Sequence, residues 1–257
     1  MKQETFIYLI GTAGSGKSTL TNSFKEWMIN QGLDAITVNL DPGAENLPYD
    51  PDVDIRDWIS LKEVMESYGL GPNGAQIACA DMLAINTSDI KESIESFKTD
   101  YVLMDTPGQL ELFVFREAGK YLVRFLNPNR SMITYLLDPA LAKTASGFIS
   151  QLLLSFNTNF RLGQPHMNIL SKSDLLVDDE LSQIKRWSEE IYELEFSLQK
   201  EDPSIYREMS ENILKIIENF QTKIRLIPTE KENLSGINEI YSTIQMQFAG
   251  GEDLEGN

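Results

Sequence analysis

The chain has 257 residues, 42% hydrophobic and 24% charged, which is enough for a sizeable core in one large domain or two small ones. A formal net charge of −17 argues against a general nucleic-acid or anionic-membrane surface, because phosphates would be repelled. One cysteine, Cys79, and one histidine, His166, exclude an intramolecular disulfide framework, a cysteine-based zinc site and a multi-histidine metal site.

The first apolar run, Thr5–Ile10, reads as a strand. No basic leader precedes it and no apolar stretch is long enough to span a bilayer, so a soluble, cytoplasmic chain is expected. Directly behind it lies Gly11-Thr12-Ala13-Gly14-Ser15-Gly16-Lys17-Ser18, and an amphipathic pattern from Lys17 to Asn30 follows. Gly, four residues, then Gly-Lys-Ser between a strand and a helix is the pattern of a phosphate-binding loop. Its glycines let backbone N–H groups form a nest for phosphate oxygens, and the helix dipole adds to their pull. Lys17 would neutralise β/γ-phosphate charge and the Ser18 hydroxyl would ligate Mg²⁺, with Thr19 completing the nucleotide-contacting set.

A second strand, Ala35–Leu40, ends in Asn39-Leu40-Asp41-Pro42-Gly43. Asp41 then lies at the carboxyl edge of the sheet, placed either to hold a metal-bound or attacking water or to cap a turn. A helical pattern over about Gln76–Lys98 contains Cys79, expected as a small buried residue. The third strand, Tyr101–Asp105, runs into Asp105-Thr106-Pro107-Gly108-Gln109. An Asp at that strand tip can hold Mg²⁺, and Gly108 lets a backbone N–H approach the γ-phosphate. Gln109 can orient the attacking water and Glu111 can share that task. A helix over about Leu110–Leu126 and a strand over Met132–Asp138 follow.

His166, next to Pro165, reads as a loop or strand-cap residue before the strand Met167–Ser171. That strand ends in Ser171-Lys172-Ser173-Asp174, where GTP-binding folds carry Asn/Thr-Lys-x-Asp. The Asp174 carboxylate would accept from guanine N1–H and the exocyclic amine, a pair adenine lacks, and the Lys172 stem would cover the purine. Ser171 departs from the common residue and should weaken bracing to the phosphate loop. The stretch Val177–Gln221 shows two amphipathic patterns divided near Asp202-Pro203, Leu181, Ile184, Trp187, Ile191 and Leu194 in one and Met209, Ile213, Ile216 and Phe220 in the other. They either cover the sheet or form an insertion facing a partner. After a strand Ile224–Pro228, Thr229 and Lys231 stand where a last guanine-contacting loop would lie, then a helix spans Leu234–Phe248 and a polar tail spans 250–257, expected to be disordered. Apolar strands alternating with helical patterns predict an α/β fold: one phosphate-loop NTPase domain over 1–249, its mostly parallel sheet flanked by helices on both faces, with a helical insertion at about 177–221.

Together with Asp54-Ile55-Arg56-Asp57 and Gly71-Pro72-Asn73-Gly74-Ala75, these motifs in this order resemble the GPN-loop GTPases, relatives of the signal-recognition-particle GTPases. The lack of a long C-terminal extension is similar to the single archaeal-type member. The resemblance implies a Mg²⁺-dependent homodimeric switch that binds GTP and GDP. In it the Gly-Pro-Asn loop of one subunit would enter the other's site, with Asn73 donating to the phosphates in trans. It also supports Asp41, Gln109 and Glu111 as water-handling residues and Ser18, Asp41 and Asp105 as the metal group, and it reads Arg56 as structural. The family's association with RNA polymerase biogenesis implies a large protein client. Two other readings stand beside this one. A phosphoryl transferase would need an arginine-bearing lid, and Arg161, Arg186, Arg207 and Arg225 are scattered. A nucleotide-stabilised assembly factor would turn over little GTP and dock its client on the helical region.

Overall fold

The computed structural model describes residues 4–219, 224–230 and 235–248. Seven strands form one sheet in the order β3-β2-β4-β1-β5-β6-β7: β1 (Thr5–Gly11), β2 (Ala35–Asn39), β3 (Val53–Asp54), β4 (Tyr101–Asp105), β5 (Ser131–Leu137), β6 (His166–Leu170) and β7 (Leu226–Pro228). Every pair is parallel, so each strand ends at the same edge and each connection must cross a face. Side chains of β1 alternate between the two faces. Phe6, Tyr8 and Ile10 enter the larger core, whereas Ile7 and Leu9 enter a smaller one.

The smaller core is closed by α1 (Lys17–Asn30), through Leu20, Phe24, Trp27 and Met28, and by the C-terminal helix at Ser235–Phe248, through Ile237, Ile240, Tyr241 and Ile244. The larger face carries α2 (Leu61–Tyr68), α3 (Pro72–Ile85), α4 (Thr87–Ser96), α5 (Leu110–Phe113), α6 (Glu117–Leu126), α7 (Pro139–Ala142) and α8 (Ala145–Leu162). Beyond them lie α9 (Asp178–Glu189), α10 (Ile191–Gln199) and α11 (Ile205–Asn219), and the C-terminal helix is α12.

Several sequence-based boundaries change. The single helix expected over 76–98 is two, divided at Asn86, whose side chain donates to the Met82 carbonyl at 2.9 Å while Thr87 Oγ1 donates to Leu83 at 2.8 Å. Local side chains thus share the last backbone acceptors of α3, since the Asn86 N–H also reaches the Met82 carbonyl at 3.2 Å, and no Gly or Pro marks the break. The helix expected over 110–126 is also divided, at 114–116. Among its described residues the stretch 177–221 holds three helices, with the extra junction at Glu190. On α11 the inward stripe is Leu214 and Ile217, while Met209 and Ile216 are exposed and Ile213 is partly covered. Three- and four-residue spacings fit two neighbouring stripes of this helix, and packing on α8 selects the other one. Ile184, Trp187, Leu194 and Leu198 are buried in the larger core, so this region is packed on the domain. Phe220, Lys231 and the tail 250–257 lie outside the described residues.

Candidate nucleotide site

The site is assembled at the carboxyl edge of the sheet. Asn39 and Leu9 both pair in register with Asp105, which brings the ends of β2, β4 and β1 side by side. Thr106 locks that edge by donating to the Leu9 carbonyl at 2.7 Å, and the Leu40 N–H donates to the Asp105 carbonyl at 2.9 Å.

The loop between β1 and α1 needs its glycines for two distinct reasons. Gly14 (φ 75°) and Gly16 (φ 94°) occupy the left-handed region. A Cβ on Gly11 would stand 2.6 Å from Ser15 Oγ and 2.9 Å from the Leu136 carbonyl oxygen, so there the reason is close approach. Lys17 is buried, its Nζ donating to the carbonyls of Gly11 and Thr12 at 3.0 Å each. Burial pushes its pKa down, and the charges of Asp105 and Asp41 oppose that shift.

Asp105 is buried, and burial raises its carboxyl to about 6 against the pull of Ser18, Tyr49 and Lys17. Tyr49 donates to its Oδ2 at 2.9 Å, while Oδ1 is buried with no hydrogen-bond partner among the described residues. Asp41 is half-buried and bridges two turns. Its Oδ1 accepts the Gly43 N–H at 2.9 Å and its Oδ2 accepts the Gly108 N–H at 3.2 Å. A cavity of about 290 Å³ is lined by Gly14, Gly16, Lys17, Ser18, Asp41, Asp105 and Gly108, among others. Its lining includes the Asp41 and Asp105 carboxylates and the Ser18 hydroxyl, and no three His, Cys, Asp or Glu side chains converge to hold a metal among the described residues. This donor set fits Mg²⁺, which takes one or two protein oxygens and completes its shell with phosphates and water. The unpaired Oδ1 of Asp105 supplies a suitable acceptor for that shell.

A second cavity of about 400 Å³ adjoins the first through Gly16, Thr19 and Lys172, and it is further lined by Ser171, Asp174, Leu175, Thr229 and Glu230. Lys172 takes a left-handed φ of 51° and donates from Nζ to the Gly14 carbonyl at 2.5 Å. Its stem crosses the phosphate loop, so bracing of the two loops comes from Lys172. Ser171 instead donates to the Leu137 carbonyl at 3.0 Å and ties its loop to β5. The Ser173 N–H donates to the Thr229 carbonyl at 2.9 Å, which joins the loop after β6 to the loop after β7, and Thr229 is buried. Asp174 is exposed at the mouth.

Gln109 and Glu111 are exposed, and Gln109 Nε2 donates to Gln76 Oε1 of α3 at 3.3 Å. Gln76 and Tyr49 were not singled out by sequence, and long-range contacts to Gln109 and Asp105 bring them to the site. Asn39, Asp54 and Arg56 were quoted in motifs but given no site role.

The sequence matches, over residues 9–250, the model of a family described as "conserved hypothetical ATP binding protein". It is 35% identical over 258 residues to GPN-loop GTPase 3 of Saccharomyces cerevisiae, covering 96% of this chain and 94% of that protein. It is 31% identical over 250 residues to GPN-loop GTPase PAB0955 of Pyrococcus abyssi, covering 96% and 99%. The crystal structure of PAB0955 superposes with a TM-score of 0.85 at 30% identity, over 95% of this chain and 97% of that one. The chain belongs to the GPN-loop GTPase family.

The family's Gly-Pro-Asn tripeptide is a helix start in this member. Gly71 precedes α3, Pro72 occupies its first position, and the Ala75 N–H donates to the Gly71 carbonyl at 2.9 Å. Pro is pre-organised for that position and lacks only an N–H that would have no helical partner. The tripeptide was expected in a loop before a helix beginning near Gln76, so α3 starts a turn earlier. Asn73 is exposed, and its amide makes no hydrogen bond among the described residues. It sits three residues before Gln76, about 4.5 Å back along the helix axis. Arg56, the arginine of the GPN-loop member's Asp-Ile-Arg motif, donates to Asp54 and, through Nη1, to the Ala44 carbonyl at 2.8 Å. Cys79 is buried in α3, and His166 begins β6.

Proposed function

We propose that this GPN-loop family member binds GTP with Mg²⁺ and hydrolyses the β–γ phosphoanhydride. The observation that carries the reading is the junction of two cavities, one lined by Lys17, Ser18 and Asp105 and the other by Lys172, Asp174 and Thr229. The first suits phosphates and the second a purine that offers Asp174 two donors, which guanine does and adenine does not. The backbone of Gly11, Thr12, Ala13, Gly14, Ser15 and Gly16 cradles phosphate oxygens. Lys17 exchanges its two carbonyl partners for phosphate oxygens, and Thr19 lines both cavities. Mg²⁺, when bound, offsets the charge that develops on the β- and γ-phosphate oxygens. Ser18, Asp105 and Asp41 hold its shell, Gly108 reaches the γ-phosphate, and Asp41, Gln109 and Glu111 orient the attacking water. Equilibrium binding of GDP and ADP by purified protein is the direct test. Preference for GDP by two orders of magnitude supports the reading, and equal affinity ends it.

The exposed amide of Asn73 supports a homodimer in which α3 of one subunit presents it to the phosphates of the other. An amide there would stabilise developing negative charge without a cation. The phosphate cavity carries Lys17 and Lys172 but no arginine among its described lining, which disfavours a phosphoryl transferase with an arginine lid. A protein client, by family resemblance a large assembly such as RNA polymerase, would dock where Tyr192, Phe196, Met209 and Ile216 are exposed on α10 and α11. Among the described residues no helix is long and apolar enough to cross a membrane.

A further inference from the structure

The segment 40–52 between β2 and β3 wraps past the phosphate cavity and is fixed by polar clasps on both sides. At its far end, Asp52 Oδ2 accepts from Lys25 Nζ at 2.6 Å, the Thr37 N–H at 2.7 Å and Thr37 Oγ1 at 3.0 Å. Further along, Asp54 takes the Arg56 guanidinium and Asn39 Nδ2, the latter at 2.9 Å, and Arg56 reaches back to the Ala44 carbonyl. Asn39 Oδ1 in turn accepts the Asp41 N–H at 3.0 Å. Between these clasps Tyr49, half-buried, places its hydroxyl 2.9 Å from Asp105 Oδ2.

We propose that Tyr49 is a positioning residue of the magnesium site, holding Asp105 by one oxygen so that the other, Oδ1, is fixed for the metal's shell. The inference rests on the magnesium-dependent reading above. A buried carboxylate with one oxygen in a directed hydrogen bond loses freedom to rotate about its terminal torsion. Among the described residues Oδ1 is the oxygen left unpaired, and Tyr49 is the hydroxyl that reaches Oδ2 from outside the phosphate loop and its helix. The clasps at Asp52 and Asp54 determine where Tyr49 stands, so the strap transmits its position to Asp105.

The test is magnesium titration of a fluorescent GDP analogue on wild type and Tyr49→Phe, with affinity also measured in EDTA and thermal stability recorded for both. The ring is retained in the variant, so packing changes little. Removing one hydrogen bond to a charged group should raise the half-saturating Mg²⁺ concentration by about ten-fold. Affinity in EDTA should remain within about two-fold of wild type, because the hydroxyl touches no nucleotide-binding group other than Asp105. An unchanged magnesium midpoint would overturn the proposal, as would an equal loss of affinity in EDTA and in Mg²⁺, which marks a strap of structural importance only. If wild type itself retains nucleotide equally with and without Mg²⁺, the magnesium reading fails first.

Discussion

Asp41 Oδ2 accepts the Gly108 N–H at 3.2 Å, joining the turn after β2 to the turn after β4. In the proposed reaction that N–H serves the γ-phosphate, so a nucleoside triphosphate competes with Asp41 for one donor. Releasing Asp41 leaves its carboxylate free to hold water or the metal's shell. Asp41→Asn keeps an acceptor and the side-chain shape but removes the charge. Single-turnover GTP hydrolysis should fall by about 10²–10⁴-fold, the range for loss of a positioned base or water-holding group. GDP affinity should change by less than about five-fold, which is worth about 1 kcal/mol.

In the proposed reading Asp174 carries the choice of base. Asp174→Asn replaces two acceptor oxygens with an amide that cannot take both guanine donors. GDP affinity should drop at least 10²-fold, while XDP, whose C2 carbonyl can accept from the new amide, should gain relative to GDP. Competition binding with the two diphosphates reads the exchange.

Gly119 of α6 packs against the end of α5, where an added Cβ would run into the Phe113 carbonyl oxygen. That oxygen belongs to backbone and cannot move alone, so Gly119→Ala should destabilise by about 1–3 kcal/mol. A protein of this size should then melt about 2–4 °C lower for each kcal/mol. Because α5 begins directly after Gln109, hydrolysis should fall further than GDP binding.

His166 makes acid sensitivity predictable. Its Nε2 lies 2.6 Å from Ser155 Oγ and its ring stacks on Tyr135, and burial pushes its pKa down to about 4 against the opposing Asn168 contact. The unfolded chain takes up this proton near 6.5 and the folded one only near 4, so its stabilisation is full above 6.5 and is lost as pH falls through that window. By pH 5 the loss should reach about 2 kcal/mol. Denaturant melts at pH 7.5 and 5 on wild type and His166→Gln isolate this term, since contributions from Asp105 are common to both.

Much of this architecture can be read directly from residues. The runs at Tyr101–Asp105 and Met132–Leu137 are apolar on both faces because both faces are covered. Gly11–Ser18 carries its own geometry in its glycines. What escaped reading depends on partners far along the chain. The two-residue β3 is too short for a period, and the junctions at Asn86 and Glu190 carry no Gly or Pro. Tyr49 is a lone aromatic in a polar segment until β4 brings Asp105, 56 residues away, against it. The bracing that Ser171 was expected to lose is supplied by Lys172, whose left-handed backbone turns its stem across Gly16.

Complementation between two inactive variants tests the central claim. Lys17→Ala should abolish nucleotide binding but leave Asn73 intact, and Asn73→Ala should bind GTP but hydrolyse it poorly. With statistical mixing of equal amounts, half the dimers are mixed and each carries one competent site, so activity should return to about a quarter of wild type. That recovery would show Asn73 of one subunit acting on the GTP of the other. If the mixture hydrolyses GTP no faster than the two variants measured apart, while mixed dimers are shown to form, then Asn73 does not act in trans.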